Sequence, residues 1–363
     1  GDGFMSIAER ATRPFNGQVL LEDFFKRYQL PTTMSIIESE VSANGLYPDK
    51  SAALEKIARE IYALPWIELA SHSYSHPFLW SKAQQSAADA GDYESYHLPI
   101  KGYKYSVERE VTGSINYINQ NLAPKDKKVN VFLWTGNCVS TPEALAETVQ
   151  AGVLNMNGGD TTITRSNNSW TRIAGLGLRK GNNFQVFAPN QNENVYTNLW
   201  TGPFYGFERV IETFELTDKP YRFKPINIYY HSYLVSKTAG ANSLHKIYQW
   251  ALKQDVLPVY SSEYIKKVLD FNDLVIARSP QGYRIRGNNQ LKTLRFGQAP
   301  AIDFNNSPQL IGFNNHNQQR YVHLANNNLD IQLQEIPSTL PYIESANGQI
   351  SQFQRQENGL SFN

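Results

Sequence analysis

Trp66-Ile67-Glu68-Leu69-Ala70-Ser71-His72-Ser73-Tyr74-Ser75-His76-Pro77 is the stretch on which the reading of this chain turns. Its first half is a short, mostly apolar run of the kind a buried strand needs. Its second half places two histidines four residues apart directly after that strand. In β/α architectures, sites are built at the C-terminal ends of strands. Two imidazoles at this spacing converge on one metal ion if the segment makes a single helical turn. Pro77 disfavours a helix continuing through His76. The plain alternative is a pair of histidines on a solvated turn, against which the strand-end position argues.

Outward from this stretch, strand-like and helix-like segments alternate. Thr33–Ile37, Val129–Trp134, Val153–Met156, Phe184–Phe187, Ile226–Tyr230 and Leu257–Tyr260 read as strands. Helices are expected after a cap at Asp49, over about 105–122, from Pro142, from about Asn242 to Lys253 and from Glu263 to Leu269. Such alternation implies a parallel sheet covered by helices, open or closed into a barrel. Beyond about Phe271 the helical period disappears. Short strand candidates at 274–277, 283–286, 293–296, 321–324 and 330–333, separated by Asn-, Gly- and Pro-containing turns, read as a small all-β sandwich. The expected organisation is an α/β domain over 1–270 and a β domain over 271–363.

Composition narrows the function classes. The 363 residues suggest about two domains. With 34 Lys+Arg against 33 Asp+Glu, the net charge of +1 offers no footprint for nucleic acid. No apolar run approaches the roughly 18 residues of a membrane span. Low charge (18%) with abundant aromatics (12%) suits an exported, carbohydrate-handling protein. The single cysteine, Cys138, excludes an internal disulfide.

Other chemistry-bearing residues also fall at expected strand ends. Gly1-Asp2-Gly3-Phe4 is a small-residue turn around a carboxylate. Asp2 with His72 and His76 makes an Asp-His-His set, the donor set of a catalytic metal site with open positions. The alternative for Asp2 is an ordinary turn residue. His231, after Ile226–Tyr230, suits a general acid, or else a hydrogen-bonded core histidine. Asp160 is a candidate to orient a catalytic histidine, and Trp134 to stack on a sugar ring. Glu263 is a catalytic candidate or a first-turn helix residue stabilised by the dipole.

Taken together, these motifs resemble the NodB-like polysaccharide deacetylases, and within them the deacetylases of Pel-type and galactosaminogalactan exopolysaccharides. Those carry D-G-D-G-F and H-S-Y-S-H-P; Gly1–Phe4 and His72–Pro77 fit that pattern, and His231 resembles the late histidine motif. The resemblance covers about 1–270. It implies a distorted (β/α)7-type barrel, Asp2, His72 and His76 as ligands of Zn2+ or another divalent transition metal, and His231 as general acid. It implies hydrolysis of N-acetyl groups on an aminosugar polysaccharide during biofilm matrix biosynthesis, in the periplasm or outside the cell, alongside other biosynthesis or export proteins. Tyr74, Trp134 and Tyr230 are then expected as the aromatic wall of the sugar site. The family's catalytic base, the first Asp of D-G-D, is expected immediately before Gly1. The family's Arg/Pro motif has no clear counterpart; Trp134-Thr135-Gly136-Asn137 stands in its place. The competing readings are a non-catalytic carbohydrate-binding protein on the same fold, and a deacetylase of peptidoglycan or chitin-like polymers.

Overall fold

The structure, a computed structural model, describes residues 3–4, 12–88, 96–219, 221–346, 348–356 and 359–363. The chain forms two compact units, Gly1–Ile265 and Lys266–Asn363. In the first, helical residues 16–28 (α1) lead to β1 (Thr32–Ile36) and the one-turn α2 (Glu38–Val41). Then come α3 (Ser51–Tyr62), β2 (Ile67–Ser71), α4 (Trp80–Ala88) and helical residues 107–122 (α5). β3 (Val131–Leu133), α6 (Pro142–Gln150) and β4 (Leu154–Met156) follow. β5 (Gly177–Lys180) and β6 (Asn183–Val186) make a hairpin before α7 (Glu193–Tyr196), α8 (Val210–Leu216) and α9 (Thr238–Ala251). A final helix, α10 (Ser261–Asp273), spans the division between the units.

One six-stranded sheet orders the first unit, β1-β2-β3-β4-β6-β5. β1 to β4 and β6 run parallel, and β5 is antiparallel to β6. From β1 to β4 each crossover advances one place without reversal, so the C-terminal ends of four consecutive strands lie side by side. The strands are short and almost wholly buried, as parallel strands covered by helices must be. α3 seats Leu54, Ala58 and Ile61 in the core. Its Tyr62 hydroxyl meets the carbonyls of Met34 (3.3 Å) and Ala70 (3.2 Å), tying β1 to β2. Thr141 caps α6 by accepting from the Ala144 N–H at 3.1 Å, with Pro142 in the first turn. Asp49, expected as the cap of α3, lies instead inside a tight turn, Pro48–Lys50, that precedes the helix.

Two expected strands, 226–230 and 257–260, have no ladder partner among the described residues. Both segments line, together with β1, a cavity of about 470 Å3. Pro258 also lacks the N–H that a ladder requires. The sheet therefore ends at β1 and β5 among the described residues.

The second unit is antiparallel. β7 (Val275–Ser279), β8 (Gly282–Arg286), β10 (Ala301–Ile302) and β13 (Leu329–Gln334) form a sheet ordered β10-β13-β8-β7; β9 (Thr293–Phe296), β11 (Leu310–His316) and β12 (Gln319–Leu324) form another ordered β11-β12-β9. Ile285, Leu329 and Ile331 from the first meet Leu310, Val322 and Leu324 from the second in one core. Among the described residues no helix is long and apolar enough to cross a membrane.

Asp270, fully buried, accepts from the N–H groups of Asn288, Gln290 and Leu291 and from the Asn327 amide at 2.5–2.7 Å or 2.8 Å. Burial alone would raise its pKa, but these donors outweigh it and hold the carboxyl below its ordinary value. Its stabilisation is therefore present above the ordinary carboxylate pKa and is lost as pH falls through the lowered folded value. Asp270→Ala leaves three backbone donors without their acceptor and is expected to cost on the order of 3 kcal/mol. Urea denaturation near neutral pH measures that loss, which shrinks in acid.

Candidate active site

His72 directly follows β2, and its Nδ1 lies 2.8 Å from the Leu133 carbonyl at the end of β3. A carbonyl only accepts, so Nδ1 carries the proton and Nε2 is the basic nitrogen. This arrangement is how metal-binding imidazoles are usually oriented. The His72 and His76 rings are 5.2 Å apart between centroids and both are buried. They do not meet through a helical turn, as the spacing suggested. Ser73 (φ 65°) and His76 (φ 54°) are both left-handed, and the chain doubles back between them. Such backbone costs of order 1 kcal/mol or more per residue and needs outside support.

That support is visible. The His72 N–H donates to the Ile36 carbonyl (2.9 Å), and the N–H groups of Glu38 and Ser39 donate to the carbonyls of Ser73 and Tyr74 (3.1 Å each). The His76 N–H donates to Ser73 Oγ at 3.0 Å. From the other side, Glu110 on α5 accepts from the N–H groups of Tyr74 (3.0 Å) and Ser75 (2.9 Å), the Ser75 hydroxyl and the Tyr103 hydroxyl (2.5 Å). Glu110 is fully buried. Burial, reinforced by Glu110, pushes the Tyr103 pKa far up, so its hydroxyl remains a donor. The adjacent Arg109 forms a two-pronged pair with Glu38 (2.8 and 2.5 Å) and lies 3.6 Å over the Tyr74 ring.

Asp2 lies outside the described residues. Its neighbours Gly3 and Phe4 are described and buried. Their N–H groups donate to the two oxygens of Glu40 (3.0 and 3.1 Å), and the Gly3 carbonyl accepts from Asn16 Nδ2 at 2.9 Å. Gly3 has φ 75°, the left-handed region that glycine enters without strain. Glu40 belongs to α2, whose Glu38 and Ser39 hold the His72–His76 loop. The glycine turn and the histidine loop are thus anchored to the same four-residue element. Among the described residues no three His, Cys, Asp or Glu side chains are grouped to hold a metal. A three-ligand site on His72 and His76 therefore needs a donor outside them, and Asp2 is the sequence's candidate.

His231 stands 12% exposed beside Glu193, whose side chain has no exposure. Its Nδ1 is 2.7 Å from Glu193 Oε1, and its N–H donates to Oε2 at 3.0 Å. The Tyr233 ring stacks on the imidazole at 4.9 Å, while its hydroxyl donates to Asn194 Oδ1 at 2.9 Å. A buried carboxylate on Nδ1 fixes the tautomer and makes Nε2 the proton-exchanging atom. His72 and His231 both line the cavity of about 470 Å3, His72 from the end of β2 and His231 from the end of 226–230.

Several expected site residues stand elsewhere. Asp160 is exposed and accepts from Gln191 Nε2 at 2.9 Å; the carboxylate on His231 is Glu193, presented by α7. Glu263 is exposed in the first turn of α10, its carboxylate 3.4 Å from the Tyr260 N–H, which is the helix-terminus role. Trp134 is fully buried against Trp80 and Phe132 (ring centroids 5.1 and 5.0 Å), and its Nε1 donates to Asn155. Tyr74 is only 5% exposed, enclosed by Arg109 and Tyr103. Neither ring can take a sugar, because protein already covers its faces. Tyr230 does line the cavity, with its hydroxyl 3.3 Å from that of Tyr248; burial, reinforced by Tyr248, keeps it protonated.

Sequence reasoning missed Glu110 and Glu193. Glu110 had a legible signal: it shares a helix face with Val107, Val111 and Ser114, and a carboxylate on an apolar face requires donors. Glu193 carried no local sign, because its partner is 38 residues away.

Glu193→Gln keeps an acceptor but removes the charge and lets the amide donate instead. The Nδ1–H tautomer of His231 is then expected to lose its dominance, read from imidazole 15N shifts; an unchanged tautomer would show that Glu193 does not control the ring. Comparison with known proteins finds no family model, no curated protein and no solved structure that matches the chain.

Proposed function

We propose that the chain is a metal-dependent hydrolase that removes N-acetyl groups from an N-acetylhexosamine polysaccharide. The observation that carries this reading is the sharing of one cavity by His72, oriented through a carbonyl, and His231, oriented through a buried carboxylate. The first is the arrangement of a neutral metal ligand, the second that of a proton-transferring group. Stepwise winding from β1 to β4, with His72 at the end of β2, supports a barrel-type fold for the first unit.

His72 and His76, with Asp2, would hold a divalent ion such as Zn2+, which when bound supplies Lewis acidity for the acetyl carbonyl and lowers the pKa of water. Amide hydrolysis then asks two things of the protein: removal of a proton from water and delivery of one to the leaving nitrogen. His231 suits the second, since Glu193 holds its Nδ1–H and leaves Nε2–H to protonate the amine. By the resemblance, the first carboxylate of the D-G-D motif would perform the first. The partly buried Tyr230, which lines the cavity, is the aromatic residue retained for substrate contact. The exopolysaccharide substrate, the biofilm setting, the periplasmic or extracellular location and any export partners belong to this same reading.

The test is acetate release by the zinc-loaded polypeptide at its native length from partly acetylated galactosamine and glucosamine polymers and from peptidoglycan. His231→Ala is expected to lower kcat by about 10^2 to 10^4, and His72→Ala with His76→Ala to abolish metal-dependent turnover. The substrate that releases acetate identifies the polymer. Absence of acetate from all three, with metal bound, would leave the carbohydrate-binding reading in its place.

A further inference from the structure

Glu110 is not a candidate ligand, acid or base in the function proposed above, yet it is the most heavily engaged carboxylate beside the histidine pair. Four donors converge on it, and three of them belong to Tyr74 and Ser75, two of the three residues that separate His72 from His76. A buried carboxylate with these donors satisfied is cheap to keep and costly to disturb, because each donor would otherwise lose a charge-assisted bond. The loop it holds also contains the left-handed residues Ser73 and His76, whose backbone needs support that the Ser71 and Ser73 hydroxyls and α2 supply only in part. From the opposite side α2 binds only carbonyls of the loop, Ser73 and Tyr74. The two sets of bonds are complementary: α2 supplies donors and Glu110 supplies acceptors.

We infer that Glu110 is a positioning residue for metal capture, setting the separation and tilt of the His72 and His76 imidazoles through protein contacts alone. This rests on the metal-site reading of the two histidines. Groups that orient metal ligands typically contribute 10–100-fold to metal affinity. Glu110→Gln keeps size and one acceptor oxygen but turns a donor toward donors, so the loop has to rearrange.

The experiment measures Zn2+ affinity by competition with a chromophoric chelator and the visible absorption of the Co2+-substituted protein, beside thermal melts without metal. Glu110→Gln is expected to weaken Zn2+ binding by about 10–100-fold and to change the Co2+ bands, while the metal-free protein still melts cooperatively. Should Glu110→Gln fail to fold, the double variant Ser75→Ala/Tyr103→Phe removes two of the four donors and keeps the Tyr74 and Ser75 N–H bonds to Glu110; the backbone group it releases is the Ser106 N–H, 3.4 Å from the Tyr103 hydroxyl in an exposed turn. A several-fold loss of affinity is then expected. A folded variant with unchanged affinity and unchanged Co2+ bands overturns the inference alone. A wild-type protein that binds neither ion overturns the metal-site reading, and this inference with it.

Discussion

A carboxylate without exposure is the constraint around which the first unit's candidate site is arranged. Burying the Glu110 charge is tolerable only because Tyr74, Ser75 and Tyr103 direct donors at it. Two of those donors are backbone N–H groups at the end of β2, so the helix that carries Glu110 and the loop that carries the histidines cannot be placed independently. Arg109, one residue earlier, extends the tie to Glu38, just after β1. β1, β2 and α5 are thereby locked together at the edge where the chemistry is proposed.

The two cavity-lining histidines are prepared in the same way and for different ends. Each presents Nδ1 to an oxygen of the protein, which leaves Nε2 to act. For His72 the oxygen is the neutral carbonyl of Leu133, which fixes the ring without favouring a charge. For His231 it is the buried carboxylate of Glu193, which holds a proton on Nδ1. The difference between a neutral donor to a metal and a proton carrier is thus set by the partner, carbonyl or carboxylate, rather than by the imidazole.

What could be read from the residues follows the range of the interactions involved. The alternation of strands and helices up to β4, the antiparallel character after Phe271 and the strand-end position of His72 are local patterns, and they appear as expected. Pro142 behind Thr141 marked a helix start for the same reason. The assignments that moved depended on distant partners. Trp134 looked like a surface platform because it ends a strand, yet Trp80 and Phe132 enclose it. Asp160 looked like the partner of a histidine because of its neighbourhood, whereas Glu193 reaches His231 across 38 residues. The shape of the His72–His76 loop was also hidden, since its left-handed residues are imposed by α2 and α5. A strand at 226–230 was expected from its apolar run, and only tertiary geometry could show the cavity between it and β1.

The most direct measurement is anomalous diffraction at the zinc edge from crystals grown with Zn2+. The account predicts a single strong peak about 2.0–2.1 Å from Nε2 of both His72 and His76, with the Asp2 carboxylate as a further ligand and His231 nearby but not coordinated. Zinc bound elsewhere, or coordinated by His231 Nε2, would contradict it.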